Sequence, residues 1–136
     1  MAYRLELRID ALPLMNTSRH LHWRGQVRER KRWPILMKNA MGRKRKPKQP
    51  LHRARVTFTR HSAASRAPDY GNVVESFKAV QDLLQPDSPR NPGGLGIILD
   101  DRPEVIGVPD YLWEKEPRKG SEGFITIVVE EISDDE

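Results

Sequence analysis

The sequence contains no cysteine and no apolar run longer than a few residues. The first absence excludes a disulfide framework and a thiolate zinc site. The second excludes a membrane-spanning helix. Residues 1–10 alternate polar and apolar side chains instead of forming the apolar centre of a signal peptide. We therefore expect a reducing, cytoplasmic setting.

Apolar residues are scarce as well. Hydrophobic residues make up 37% of the chain, aromatic residues 7%, and the mean hydropathy is −0.71. A chain of 136 residues forms about one domain, and a core this lean is often completed by oligomerisation. We expect one domain over residues 1–132, with a basic loop at 42–50 and an acidic, disordered tail at 133–136.

The charges divide the chain into two halves. Residues 1–66 carry 18 Lys and Arg against 3 Asp and Glu, a net charge of +15, whereas residues 67–136 carry 6 against 16, a net charge of −10. A basic half of this density attracts polyanions through phosphate contacts and counterion release. Nucleic acid is the expected partner, and the simpler alternative is that the lysines and arginines only keep the protein soluble.

Hydrophobic periodicity predicts an α/β domain with the element order β, α, β, α, β, β. Residues 3–9 and 53–59 alternate like half-buried strands, and two more strands are predicted within 105–113 and 124–132. A basic helix is predicted to end near Met41, with Thr17 or Ser18 as its cap and with Pro34 kinking or restarting it. Its expected buried side consists of Val27, Leu36, Met37, Ala40 and Met41.

A second helix is predicted with Asn72 as its N-cap. Its expected buried residues, at helical spacing before Pro86, are Val73, Phe77, Val80 and Leu84. Residues 61–68 are predicted to be a polar loop, and the Pro/Gly-rich residues 86–96 to turn repeatedly. The fold class is therefore α/β, with a small mixed β-sheet packed against two main helices.

Two groups of acids flank this second helix and the turns after it. Asp69 stands before the helix, and Asp100 and Asp101 follow the turns. A fold that closes this segment would bring Asp69 and Asp101 together, and carboxylates that converge from two loops suit Mg²⁺. The simpler explanation is that all three are turn residues next to Pro68 and Arg102.

Five short motifs follow one another in a recognisable order. They are PLMN at 13–16, the basic segment HLHWRGQVRERKRW at 20–33, PDYGN at 68–72, SFK ending at Lys78, and LDD ending at Asp101. In order and spacing, over nearly the whole chain, this pattern resembles the RusA family of Holliday-junction resolvases. The resemblance implies a RusA-like homodimer that depends on Mg²⁺, with Mn²⁺ as a substitute, and cuts symmetrically across a four-way DNA junction.

The resemblance also implies roles for individual residues. Asp69 and Asp101 would be the catalytic, metal-binding acids, with Asp100 beside them as a further ligand. Lys78 would stabilise the charge that develops on the scissile phosphate.

Two positions depart from the family pattern. Gly71 stands where the family has its middle acid, and Glu75 where it has its lysine. Either Glu75, four residues after Gly71 on the same helix face, or Asp100 would then supply the third metal-binding oxygen. The alternative is that Glu75 and Lys78 form a surface ion pair.

The residues expected to contact DNA have basic or polar side chains. They are Arg24, Arg28, Lys31, Arg32, Lys44, Arg45, Lys46, Lys48 and Asn72. Trp23 and Trp33 are expected in the core or in a dimer interface, with stacking on exposed bases as the alternative. His20 and His22 fit a basic surface better than a metal site.

Together these features predict a structure-selective endodeoxyribonuclease that resolves Holliday junctions or other branched DNA by Mg²⁺-dependent hydrolysis. It would act as a homodimer in the cytoplasm of a bacterial or phage-infected cell. Two alternatives are a catalytically impaired protein that binds branched DNA and a basic RNA-binding protein.

Overall fold

The predicted mixed α/β architecture is present in the computed structural model, which describes residues 2–13, 23–63, 67–116 and 123–133. The strands are β1 (Arg4–Ile9), β2 (Ala54–Ser62), β3 (Pro86–Ser88), β4 (Asn91–Leu95), β5 (Asp110–Lys115) and β6 (Phe124–Glu131). The helices are α1 (Trp23–Met41), α2 (Tyr70–Ser76), α3 (Lys78–Asp82) and α4 (Pro103–Ile106).

Four strands form the main sheet in the order β1-β6-β2-β5. Strand β6 pairs antiparallel with β1 and with β2, whereas β2 and β5 run parallel, so the sheet is mixed as predicted. The short strands β3 and β4 form a separate antiparallel hairpin. This hairpin occupies residues 86–95, where the sequence predicted only turns.

One face of the main sheet carries the core. On β1, the side chains of Leu5, Leu7 and Ile9 are at most 4% exposed, while their neighbours Arg4 and Glu6 are exposed. Burying each such aliphatic side chain stabilises the fold by about 1.5–3 kcal/mol. The period-2 pattern predicted for this strand is therefore confirmed.

Helix α1 runs unbroken through Pro34, so the predicted restart at this residue is wrong. Trp33 is 2% exposed, as expected for a core residue, and its indole N–H donates to the Glu29 carboxylate at 2.6 Å. A Cβ added to Gly93 would lie 2.8 Å from the Pro34 side chain, which shows that the backbone of β4 packs directly on the proline ring.

The predicted buried side of α1 is confirmed in part. Met37 and Met41 are buried, whereas Val27, Leu36 and Ala40 are half-buried. The proposed caps Thr17 and Ser18 lie outside the described residues, as do His20 and His22.

The second predicted helix is divided in two at Phe77. Helix α2 begins at Tyr70, and the Asp69 carbonyl accepts hydrogen bonds from the N–H groups of Asn72 and Val73. Asn72 is therefore inside the helix, and its prediction as the N-cap is wrong. The Ser76 hydroxyl donates back to the Val73 carbonyl at 2.7 Å, a bond that competes with continued helix. The four predicted core residues are all buried: Val73, Phe77, Val80 and Leu84.

The remaining corrections concern element ends. His61 and Ser62 extend β2, where a loop was predicted, and Val105 lies in α4 while its strand starts only at Asp110. Residues 42–50 form an irregular, mostly exposed segment as predicted. No helix among the described residues is long and apolar enough to cross a membrane.

Candidate active site

Helix α3 and the turn after β4 bring charged residues together. Burial raises the pKa of Asp82, the negative charge of Asp101 adds to the rise, and Lys78 opposes it. Burial also raises the pKa of Asp101, where Lys78 again opposes the rise. Asp82 and Lys78 on α3 therefore share one electrostatic environment with Asp101, which comes from a separate segment of the chain.

Asp100 and Asp101 form a coupled pair within the turn. A side-chain hydrogen bond between them lowers the pKa of Asp100 and raises that of Asp101, so Asp101 is the harder of the two to ionise. Asp100 is further held by its neighbours, since its carboxylate accepts from the backbone N–H of Asp101 at 2.7 Å and pairs with Arg102 at 3.0 Å. Although its carboxyl group is partly shielded from water, Asp101 as a whole residue remains exposed at the surface, which suits it to meet a ligand.

Tyr111 on β5 connects this turn to the start of α2. Burial raises the pKa of the Tyr111 hydroxyl, and the charges of Tyr70 and Asp101 raise it further. The hydroxyl donates to Gln81 at 2.5 Å, and the ring stacks on Phe58 with the centroids 5.3 Å apart. Stacking of the half-buried Tyr111 ring on the buried Phe58 ring fixes the position of Tyr111 between the two segments.

The sequence did not lead us to predict Asp82 and Tyr111 as site residues. Asp82 lies four residues after Lys78, a spacing that places both on one helix face, so its signal was present. Tyr111 carried no comparable signal, because the pairing of β5 beside β2 puts it next to Phe58 and the acids.

The predicted acid Asp69 lies at the N-cap position of α2 with an exposed side chain that makes no capping bond. Among the described residues no hydrogen bond or ion pair joins it to Asp101, so their meeting around one ion stays a prediction. Glu75 is exposed on α2. Within the described ranges no three Asp, Glu or His side chains converge as a ready-made metal site.

The residues of the acidic turn nevertheless fit a magnesium ion. Mg²⁺ keeps several waters and takes one or two protein carboxylates together with substrate phosphates. The negative charge of Asp101 raises the pKa of Asp82, and a divalent cation bound beside them would offset that repulsion. Asp101 would hold the ion, together with Asp100 or Asp82.

Helix α1, which carries several of the predicted basic contacts, packs against α3. Arg28 and Lys31 are exposed on α1, whereas Arg32 is half-buried and pairs with Glu29 at 3.2 Å. Arg32 is thus less available for phosphate than predicted. The side chains of Trp23 and Arg24 lie outside the described part of the chain.

The loop at 42–50 is anchored at one point. The Tyr3 hydroxyl donates to the Arg45 carbonyl at 2.6 Å, which holds the loop against the start of β1. The predicted phosphate contacts of this loop are all exposed: Lys44, Arg45, Lys46 and Lys48. Asn72, the last predicted contact, is half-buried in α2.

Two comparisons with known proteins identified no relative of this chain. No protein-family model matches the chain, and no curated protein gives a significant match. The resemblance to RusA-type resolvases therefore depends on the order of the short motifs alone.

Proposed function

We propose that this protein is a RusA-type, Mg²⁺-dependent endodeoxyribonuclease that cuts branched DNA, four-way junctions above all, as a cytoplasmic homodimer. The observation that carries the proposal is the shared environment of Lys78 and Asp101, which lie 23 positions apart in the sequence numbering. A cation and a group of acids beside a basic helix are what phosphodiester hydrolysis requires.

Each group has a role that follows from its charge. The Lys78 ammonium lies close enough to Asp101 and Asp82 to act on both of them, so it can also neutralise the charge developing on a bound phosphate. Arg28 and Lys31 on α1 neutralise flanking phosphates and hold the strand in place. A bound Mg²⁺ would supply Lewis-acid polarisation of the phosphate and an acidified water.

Cleavage of a synthetic four-way junction by the purified protein in Mg²⁺ tests the proposal. Asp101→Asn is expected to stop cutting while junction binding persists, because the substitution removes one negative charge and leaves the basic surface intact. Glu104→Gln, an equal loss of charge on an exposed side chain three residues away, is the matched control and should cut normally. Cutting that survives Asp101→Asn would refute the assignment.

Gly71 favours a second candidate function, a junction-binding protein that does not cut. It occupies the position of an acid in the motif, and a Cβ added there meets no atom within 4 Å. Gly71→Asp is therefore sterically accommodated. A wild-type protein that binds junctions without cutting, together with cutting by Gly71→Asp, would establish this second function and its cause.

The third candidate function is that of a basic RNA-binding protein. The relative affinity of the protein for RNA and for junction DNA distinguishes this function from the other two. Junction DNA and RNA hairpins of equal phosphate number should be compared at one salt concentration, because affinity for either depends on salt. Tighter binding to the hairpins would favour RNA.

A further inference from the structure

Strand β1 lies at an edge of the main sheet, and its hydrogen bonds show which backbone groups face outward. The Glu131 N–H donates to the Tyr3 carbonyl at 2.8 Å, so these residues form a hydrogen-bonded pair. Such pairs recur at every second residue of an antiparallel ladder. The backbone N–H and C=O groups of the odd-numbered residues 3–9 therefore point toward β6. The N–H and C=O groups of residues 4, 6 and 8 therefore point away from β6, and Asp10 follows directly after the strand. Among the described residues no strand pairs with this edge.

The same four residues carry an alternating row of charges. Arg4, Glu6, Arg8 and Asp10 are exposed, with side-chain exposures of 56%, 56%, 59% and 79%. Within the strand they form two loose ion pairs, Arg4 with Glu6 at 3.4 Å and Arg8 with Asp10 at 3.1 Å. The Arg8 guanidinium also lies over the Phe124 ring, 3.8 Å from its centroid. Ion pairs this exposed contribute little by themselves, so the carboxylates and the edges of the guanidinium groups remain available to a partner.

We propose that β1 pairs antiparallel with β1 of a second copy, with Leu7 opposite Leu7 on the two-fold axis. In this register Arg4 faces Asp10 and Glu6 faces Arg8, and the symmetry repeats both pairs. Every charged residue of the strand then meets an opposite charge, and the outward backbone groups pair with one another. The inference names the surface of the proposed homodimer and does not depend on nuclease chemistry.

The charge pattern selects this register over its neighbours. A shift by two residues in one direction places Arg4 opposite Arg8 and Glu6 opposite Glu6. The opposite shift places Glu6 against Asp10 and Arg8 against Arg8. Like charges directly opposite each other destabilise a strand pair, and a shift by one residue would set outward groups against inward ones.

The pairing also has a consequence for the candidate active site. A two-fold axis normal to the joined sheet leaves the helix-covered faces of both copies on one side. Tyr111 stacks on Phe58 on that side, and Asp101 and Lys78 lie near it. Two equivalent sites on one face suit two equivalent strands of a junction.

Charge reversal tests the interface, with the dissociation constant of the dimer measured by analytical ultracentrifugation. Glu6→Arg alone sets arginine against Arg8, and Arg8→Glu alone sets glutamate against Glu6, so each should weaken the dimer about tenfold or more. An equimolar mixture should restore wild-type affinity, because the heterodimer regains both opposite-charge pairs. Glu104→Arg, outside β1, is the control and should leave the dimer unchanged.

Disulfide trapping tests the register. The chain has no cysteine, and opposite residues of a hydrogen-bonded antiparallel pair have Cα atoms about 5.5 Å apart, within disulfide range. A mixture of Glu6→Cys and Arg8→Cys should form an intermolecular disulfide. A mixture of Arg4→Cys and Arg8→Cys, which reports the neighbouring register, should not.

A monomeric wild-type protein at all concentrations, or a dimer indifferent to both charge reversals, would overturn the interface. Junction cleavage by the same variants separates the two proposals. If the disulfide forms in the expected register but the protein never cuts junctions, the interface is supported and the nuclease proposal is refuted. If the protein is a monomer and cuts junctions, the nuclease proposal is supported and the interface is refuted.

Discussion

Asp101 is an acid that the fold makes harder to ionise. Burial and the adjacent Asp100 raise its pKa, so the folded state holds its proton at pH values where the unfolded chain has lost it. The contribution of Asp101 to stability therefore falls as pH rises from the ordinary carboxyl range through the raised pKa, while Asp100, whose pKa is lowered, contributes in the opposite direction. Acids whose ionised form is destabilised in this way are common at functional sites.

Asp101→Asn should accordingly stabilise the protein at neutral pH while removing activity. Asparagine keeps the hydrogen bond to Asp100 and loses the charge, and we expect a gain of about 0.5 kcal/mol for a group this exposed. Urea denaturation at pH 7 and near pH 4 should show the gain shrinking in acid, because protonation of the wild-type carboxyl removes the charge that the substitution removes. A variant less stable than the wild type at pH 7 would show that the ionised carboxylate makes a favourable contact.

At the scale of elements, the β3–β4 hairpin fixes the position of the acidic turn. The Leu95 N–H donates to the Leu83 carbonyl and the Ile97 N–H to the Leu84 carbonyl, both at 2.8 Å. The chain leaving β4 is thus bonded to the end of α3. Backbone hydrogen bonds, and not contacts of their own side chains, therefore hold Asp100 and Asp101 near Lys78.

Gly94→Ala tests this arrangement. A Cβ at Gly94 would lie 2.3 Å from the Gln85 carbonyl oxygen, so the hairpin must move, and we expect a loss of about 1–3 kcal/mol. Gly71→Ala in α2 meets nothing within 4 Å and should instead stabilise by about 0.5–1 kcal/mol. Denaturation of both variants in urea is the measurement; a Gly94→Ala variant as stable as the wild type would mean that the hairpin backbone moves away from the added Cβ without cost.

The two halves of the chain differed in how far their elements could be predicted. Strand β1 was predicted almost to its ends, because a half-buried strand shows its alternation directly. Helix α2–α3 was predicted as one piece, because the spacing of Val73, Phe77 and Val80 is helical on both sides of the break. Its division at Phe77 follows from a local bond of Ser76, which periodicity does not reveal.

For the whole molecule, the division of charge predicts how binding responds to salt. Each phosphate contact on duplex DNA contributes about −0.9 to the slope of log affinity against log salt. Replacing the exposed Lys44, Lys46 and Lys48 of loop 42–50 with alanine should make that slope shallower by up to about three times this amount. The loop is anchored through Arg45, whose carbonyl accepts from the Tyr3 hydroxyl and whose guanidinium lies over the Tyr3 ring. Arg45 is left in place, so the melting temperature should stay the same.

Fluorescence anisotropy on a labelled junction over a range of salt concentrations measures the slope. An unchanged slope with an unchanged melting temperature would show that this loop does not touch the DNA. A changed melting temperature would mean that the side chains support the fold.

The sequence by itself determined the mixed α/β class, the core positions of the strands and the separation of charge, because each is written in spacing or composition. Only the tertiary structure decided which charges meet. Asp82 joins Asp101 because backbone bonds tie the end of β4 to α3, and Arg60 is 7% exposed, donating to the Pro13 carbonyl at 2.6 Å, because β2 continues past its predicted end. Contacts between distant segments depend on pairing and packing, and no local pattern encodes them.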